Sequence, residues 1–526
     1  MNAARLILRV VFGGHGISAT GDHMTEAPMR PRQMLSANHA KLCAELTALC
    51  LALLAAPLYG QSDLTATSRG TVSYGAATFA VQNASDLQMQ SPYLGGVPAG
   101  KASATALPLS LEDAVGRGLR QNLGGLLSSD AVSGERGERW RALSALLPNL
   151  TTGTSFGVHQ VDLKATIGIK IPVPGVPPVT GPFGVFDTRG YLDQSVFNWE
   201  SIERARSSVA QVKSAQYSYK NARELIVVVV VSNYLLVIAD QSQVESALAQ
   251  RDTAKVLFDQ TTDQKKAGLA AAVDVLRSDV ELQAREQRLI VARNNLAKQK
   301  LVLARAIGLP AGQTFDIATE VAYQPLTTSS LDEALQQAYT VRADYKSLTE
   351  QVRSAELQKK AASAERYPTL SAIADYGSIG TNFASNHGTV NAAAELRLPI
   401  FLGGRIHGDN LVADSLLTKA RQQLEDLRAS IDQEVRDVFL DLQDTAQEVS
   451  VAQNAVRLAT QTLQQSRDRF SSGVTDNIEV VQAQESLADA NDTFIGSLYR
   501  YNTAKVSLAR AIGFAESNYA LYLKGQ

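Results

Sequence analysis

Cysteine is almost missing from this chain of 526 residues: the only two, Cys43 and Cys50, lie in one apolar N-terminal stretch, and nothing beyond residue 60 carries a thiol. A disulfide framework and a Cys-based metal site are therefore excluded for the body of the chain. Charge of one sign is missing too. Fifty basic against 52 acidic residues leave a formal net charge of -2, which gives no footprint for nucleic acid. Aromatic residues make up only 6%, too few for a conventional thick globular core. The six histidines (His15, His23, His39, His159, His387 and His407) are scattered, with none at metal-ligand spacing and no nucleophile elbow nearby. No cofactor, metal or catalytic group is expected.

Long apolar runs are few. Residues 41–60, KLCAELTALCLALLAAPLYG, follow Arg30 and Arg32 and end in small residues, the build of a secretory signal peptide cleaved after Gly60. Met24, Met29 and Met34 are alternative starts. Leu49, large where a small residue is expected, argues against lipidation of Cys50. Ile226–Ala239 is apolar but only fourteen residues long. Its counterpart Ile431–Asp444 carries Asp432, Glu434, Arg436, Asp437 and Asp441, so a buried helix face is the better reading. GGVPAGKA at Gly95–Ala102 lacks the Ser/Thr that a P-loop places after its lysine. Ser, Thr, Ala and Gly dominate 61–108, which reads as a flexible linker.

What the chain does have is a duplication. LSLEDAV at Leu109–Val115 returns as SSLDEAL at Ser329–Leu335, and PNL at Pro148–Leu150 as PTL at Pro368–Leu370, both 220 residues on. LARAIG at Leu303–Gly308 recurs at Leu508–Gly513, 205 residues on. The difference matches a Pro- and Gly-rich loop, Lys170–Gly184, present only in the first copy. Six segments follow: 1–60 leader, 61–108 linker, 109–308 first repeat, 309–328 inter-repeat linker, 329–514 second repeat and 515–526 tail.

Each repeat opens with a capping box, Ser110/Asp113 or Ser330/Glu333. A helix of nearly forty residues then stops at Pro148 or Pro368. Two extended segments come next, 150–162 and 187–198, or 369–381 and 389–401. The last alternates Leu396, Leu398 and Ile400 with Glu395, Arg397 and Pro399. Helices of about 65 residues follow (200–265 and 404–470), each approaching ~100 Å. After a Gly-containing break, Val275, Leu282, Leu289, Leu296 and Leu303 recur every seven residues, as do Val480, Leu487, Phe494, Tyr501 and Leu508. That repeat keeps one seam against a partner helix.

Four strands per chain cannot close a barrel, and open edges are intolerable in lipid. Pooling strands from several copies resolves the conflict. A coiled-coil adhesin and a soluble periplasmic scaffold are the competing classes; the duplication and the paired strands disfavour the first, and extraction without detergent would favour the second.

The order of these parts over 109–514 resembles the TolC-like outer membrane efflux proteins. The matches are SLEDAV and SLDEAL, Pro148 and Pro368, SVFNW at Ser195–Trp199, PIFLGGR at Pro399–Arg405, both ARAIG ends, and the breaks AGLAAAVDVL (Ala267–Leu276) and SGVTDNIEVV (Ser472–Val481). The resemblance implies a mainly α fold with a membrane β-barrel. Four strands per chain would pool into a twelve-stranded trimeric barrel above a long helical periplasmic tunnel. It implies a homotrimer in outer-membrane lipid, a periplasmic adaptor protein, and an inner-membrane RND or ABC-type transporter that supplies the energy. Carried onto this sequence, the entrance constriction falls on Glu479, Gln482 and Asp274. The hairpin turns and adaptor contacts fall on Gly268, Leu269, Gly473, Val474 and Thr475, and tip closure on Phe470 and Val273. Phe470 lacks a hydroxyl, Thr475 lacks a basic group and Gln482 lacks a charge, so the family's closed-state latch does not transfer. Asp274 also reads as an ordinary first-turn acid.

Overall fold

A computed structural model describes residues 91–162, 165, 179–318, 324–326, 330–475 and 477–524. All belong to one compact unit, Val81–Gln526. The expected leader, the first part of the expected linker and, within the expected inter-repeat linker, residues 319–323 and 327–328 lie outside the described residues.

The two repeats match helix by helix. In the first, α1 (Leu111–Gln121) and α2 (Leu123–Ser144) precede β2 (Asn149–Asp162) and β3 (Val179–Phe197). Then come α3 (Trp199–Lys266) and α4 (Ala272–Ala306). In the second, α5 (Leu331–Val341), α6 (Ala343–Ala364), β5 (Thr369–Gly380), β6 (Asn386–Arg397), α7 (Arg405–Ser471) and α8 (Asn477–Ala511) follow in the same order. Two short strands, β1 (Leu107–Leu109) and β4 (Phe315–Ile317), pair in parallel, and α9 (Ala515–Lys524) replaces the expected tail. Paired helices have 11 and 11, 22 and 22, 68 and 67, and 35 and 35 residues. Strict helix length with a variable strand connection is what a packed duplicated element requires, since loops absorb length changes and packed helices do not.

Five sequence expectations need correction. The opening helix of nearly forty residues is two helices, broken at Asn122 and Arg342, whose ψ angles of 133° and 130° are extended. Asn122 Nδ2 donates to Ala306 O, and its Oδ1 accepts from Gly124 N at the start of α2. Arg342 Nη1 donates to Ala511 O at the matching place in the second repeat. Each break thus ties an otherwise free carbonyl at the end of the hairpin helix. Second, only Ser330/Glu333 closes a full capping box; Asp113, one methylene shorter, accepts from the Ser110 hydroxyl instead of the backbone amide. Third, β3 begins at Val179, inside the stretch read as a loop. Fourth, β6 ends at Arg397, so Leu398 and Ile400 stand outside the strand, and φ of 61° at Gly403 and 86° at Gly404 turns the chain into α7. Fifth, from Ser91 the expected linker is fixed: Val97 N donates to Gln121 O, Ala99 N to Gly308 O, and Leu107–Leu109 pairs with β4. The amides of Gly95, Val97 and Ala99 in the P-loop-like stretch are spent on the fold.

The repeats interlock. Helix α3 runs antiparallel to α6 of the other repeat through the hydroxyl pairs Ser207–Ser354 and Ser214–Ser347. The apolar stretch Ile226–Val237 forms the centre of one core with Leu111, Val115, Leu303 and Val506. Gly118 admits this approach, because a Cβ there would stand 2.7 Å from Val230 Cγ2. Ile431, Val435 and Leu442 build the second core with Leu335, Tyr501 and Leu508. Of the ten heptad residues, Leu282, Leu289, Leu303, Val480, Tyr501 and Leu508 are buried and Val275, Leu296, Leu487 and Phe494 are half-buried, as a coiled-coil seam demands.

Lys505 is fully buried beside this second core. Its Nζ donates to Gln324 O and lies 4.7 Å from the Tyr501 ring centroid, and Tyr501 Oη accepts from Leu326 N. The chain between the repeats is held there. Burial pushes the ammonium down to about 8 from 10.5. The unfolded chain therefore binds this proton more tightly, and the folded state carries a penalty that is relieved as pH rises from about 8 to about 10.5. Lys505→Met should raise stability toward denaturant below pH 8 by about 2 kcal/mol and flatten the rise above it. Helical circular dichroism of both proteins between pH 7 and 10 checks this.

Candidate functional site

Two places combine chemistry with an unusual surface: the four-stranded sheet and the pair of helical hairpin turns. The sheet runs β2-β3-β5-β6, antiparallel throughout. Alternation along the paired registers sorts its residues onto two faces. One face carries Leu150, Phe156, Val158, Leu192, Leu370, Tyr376, Val390 and Leu396; the other carries Asp187, Arg189, Asp193, Asp375, Glu395 and Arg397. The apolar face is open, with Tyr376 72% and Val390 75% exposed, and Asp193, Glu395 and Arg397 on the charged face are open as well. On the charged face Arg189 is enclosed between two acids. Its Nη1 donates to Asp375 Oδ1 at 2.5 Å and its Nε to Asp187 Oδ1 at 2.8 Å. This clasp lies at the β3–β5 seam, where the repeats join, and Gly377 opposite Arg189 leaves room for it, since a Cβ there would stand 2.1 Å from Arg189 Cβ. A sheet surrounded by water would show the opposite polarity. Strands β2 and β6 end the sheet, each with one unpaired edge among the described residues.

The hairpin turns are built alike. Gly268 (φ 76°) and Gly473 (φ 69°) adopt the left-handed conformation that ends a helix. Gly268 N donates to Lys265 O and Leu269 N to Gln264 O; Gly473 N donates to Phe470 O and Val474 N to Arg469 O. This is the Schellman arrangement, whose following apolar residue ordinarily packs back on the helix. The other ends of the hairpins, at Gly308 and Gly513, use the same bonds and do pack that residue: Leu309 is 5% exposed and Phe514 is partly buried against the second core. At the tips it is left outside. Leu269 is 80% exposed and Val474 is also open to solvent.

Asp274 behaves as a first-turn acid, its Oδ2 accepting from Ala271 N at 3.3 Å and its Oδ1 lying 3.5 Å from Arg277. Its carbonyl accepts from Asn477 Nδ2 at 2.9 Å, which ties one hairpin turn to the other. Glu479 lies 3.6 Å from Arg469 and accepts from Ser466 Oγ at 3.5 Å. Gln482 and Val273 line one groove between α4 and α8 with Leu276, Val280, Ile478 and Val481. Glu479 is not among that groove's lining. Phe470 packs its ring on Leu257, Leu463, Val480 and Ala483, a role in the coiled coil, and Thr475 is half-buried. Asn477, which joins the hairpins, and the Arg469–Glu479 pair across the arms of one hairpin escaped the sequence reading, because contacts between helices leave no periodic signal. Among the described residues no cluster of His, Cys, Asp or Glu could hold a metal ion.

The sequence pattern of the family described as Outer membrane efflux protein matches residues 142–309 and 331–514. The alkaline protease secretion protein AprF of Pseudomonas aeruginosa is 24% identical over 391 residues, 70% of this chain and 78% of AprF. The toluene efflux pump outer membrane protein TtgC of Pseudomonas putida is 24% identical over 384 residues, 68% of this chain and 77% of TtgC. Among solved structures, the outer membrane protein VceC of Vibrio cholerae superposes with a TM-score of 0.67 at 18% identity, covering 77% of this chain and 97% of VceC. The last likeness concerns the fold alone.

An L-residue in the left-handed region costs roughly 1–2 kcal/mol. Gly473→Ala should therefore speed amide exchange around 470–475 by about five- to thirty-fold, while exchange in α7 above Leu463 stays unchanged. Hydrogen-exchange mass spectrometry of the two proteins reads this directly.

Proposed function

The chain belongs to the outer membrane efflux protein family, and we propose that three copies pool their sheets into one twelve-stranded barrel across the outer membrane. It is an outer-membrane exit duct for efflux or secretion. The observation that carries the barrel reading is the sheet's polarity: one face is apolar and open, and the other carries the charge, with Arg189 enclosed between Asp187 and Asp375. Lipid would take the first face, an aqueous lumen the second, and edge-to-edge pairing of β2 with β6 of the next copy would satisfy the free backbone groups.

The helices then form a periplasmic tunnel with the hairpin turns at its entrance. Exposed Leu269 and Val474 are the apolar contacts for a periplasmic adaptor, and an inner-membrane RND or ABC-type transporter supplies the energy. No reaction is assigned to this chain. Glu479 is the acid we place at the entrance, where three symmetry-related carboxylates would favour cations, each moderated by its Arg469. Asp274, tied to Ala271 and Asn477, contributes to the turn, and Gln482 lines the adjoining groove. Phe470 and Val273 lack the polar groups of a latch. Cargo is not set by overall similarity: a protease secretion protein and a toluene efflux protein are equally similar to this chain.

Single-channel recording in planar bilayers tests the duct and its entrance together. Wild type should give discrete channels that prefer cations, and Glu479→Gln should lower that preference at least about two-fold. Channels unaffected by the change would remove Glu479 from the entrance. Inserted, folded protein without conductance would count against the duct.

A further inference from the structure

Beyond residue 60 the chain has three histidines, and two of them stand on the outer strands of the sheet: His159 on β2 and His387 on β6. The third, His407, is on α7. Both sheet histidines are exposed, and both lie on the charged face, because alternation puts Val158 and Val390 on the other. They also stand at one height. His159 is ten residues above Asn149, where β2 leaves the helices, and His387 is ten above Arg397, where β6 returns to them. Within one chain they occupy opposite edges of the sheet and cannot meet.

Closure between copies sets β2 of one chain beside β6 of the next, and the geometry of a barrel limits the register. A line across the strands from Asn149 passes Asp193, Ile373 and Ala393, which lies four residues above the end of β6. The sheet is thus staggered by four residues before the closing step. Twelve strands about 4.8 Å apart, tilted by about 35–45°, need a total stagger of about 12–18 residues, or about four to six per chain. Pairing that keeps each face intact admits only the even values. At four, His159 stands directly opposite His387 of the next copy. At six, His159 faces Thr389 of that copy and His387 is its diagonal neighbour.

Opposite Cβ atoms lie about 4.5–5.5 Å apart and diagonal positions about 7–8 Å. At either spacing two imidazoles can hold one ion between them, each nitrogen about 2.0–2.1 Å from it. Gly157 gives the first ring space to turn: a Cβ there would stand 2.9 Å from His159 Nε2. Imidazole suits zinc, copper and nickel, whereas calcium and magnesium take oxygen ligands.

We propose that each seam of the closed barrel binds one divalent transition-metal ion between His159 of one copy and His387 of the next, with water in the remaining positions. The inference rests on the barrel reading, since only closure joins the two strands. Three such sites would ring the lumen at the end of the sheet away from the helices, each stapling two copies together.

Zinc chloride alone is the probe, titrated calorimetrically into the untagged, detergent-solubilised full chain. Wild type should take up about one zinc ion per chain. His159→Ala and His387→Ala should each weaken binding at least about ten-fold, while His407→Ala should bind as wild type does. Random co-assembly of the two single variants should restore about a quarter of the sites, because some mixed seams regain both rings. Absence of zinc binding in wild type, equal binding in the two variants and wild type, or no recovery on co-assembly overturns the proposal. Cysteine pairs across the seam judge the barrel separately: Ser155→Cys should cross-link best with Asn391→Cys or Ala393→Cys. Best cross-linking with His387→Cys would set the imidazoles four residues apart, overturning the metal site and leaving the barrel. No cross-link in any pairing would overturn both.

Discussion

Backbone hydrogen bonding at the two edges of the β2-β3-β5-β6 sheet is the constraint on which the other features depend. In water those edges could be solvated, but the sheet's open apolar face would then be wet. In lipid the face is content, but unpaired N–H and C=O groups are not. Neither medium suits one chain alone. The proposed closure between copies would remove both difficulties and would place the Asp187–Arg189–Asp375 clasp on the lumen side, where charge can be hydrated. The clasp sits at the seam between the repeats, so it also fixes the register on which the apolar face depends.

The helices answer a second requirement, that two copies of one module share a single body. Equal helix lengths let α3 of one repeat lie along α6 of the other with serine facing serine, at two places seven residues apart. Asn122 and Arg342 perform one task with different chemistry, each reaching the carbonyl of the alanine that closes a hairpin helix. Arg342 is further tied to Asp344 and Glu434, giving the second repeat a charged knot where the first has an amide. The same Schellman bonds close all four hairpin-helix ends, and only burial of the next apolar residue distinguishes the anchored ends from the tips.

Much of this was legible before any coordinates. The duplication, the long helices, the heptad seam and the two reversal glycines follow from spacing and from the need for positive φ. The breaks at Asn122 and Arg342 were not legible, because neither Gly nor Pro marks them; the extended backbone is fixed by a partner about 170 or more residues away. Strand β3 was shortened in the reading because Pro and Gly dominate its beginning, and Leu398 and Ile400 continued an alternation that Gly403 and Gly404 end. At the entrance the sequence located the turns but not the pairing of Asn477 with Asp274 or Arg469 with Glu479. The first contact depends on how the two hairpins lie side by side and the second on how the two arms of one hairpin pack, which no one-dimensional pattern encodes.

Closure between copies is the central claim, and disulfide trapping tests it most directly because the chain beyond residue 60 has no cysteine of its own. Ser155→Cys on β2 would be combined in turn with His387→Cys, Thr389→Cys, Asn391→Cys and Ala393→Cys on β6, all on the charged face. Oxidation of the protein in outer membranes should yield, in at least one register, a species about three times the chain mass on denaturing gels. No cross-linked species in any register, with the protein folded in the membrane, would contradict the shared barrel.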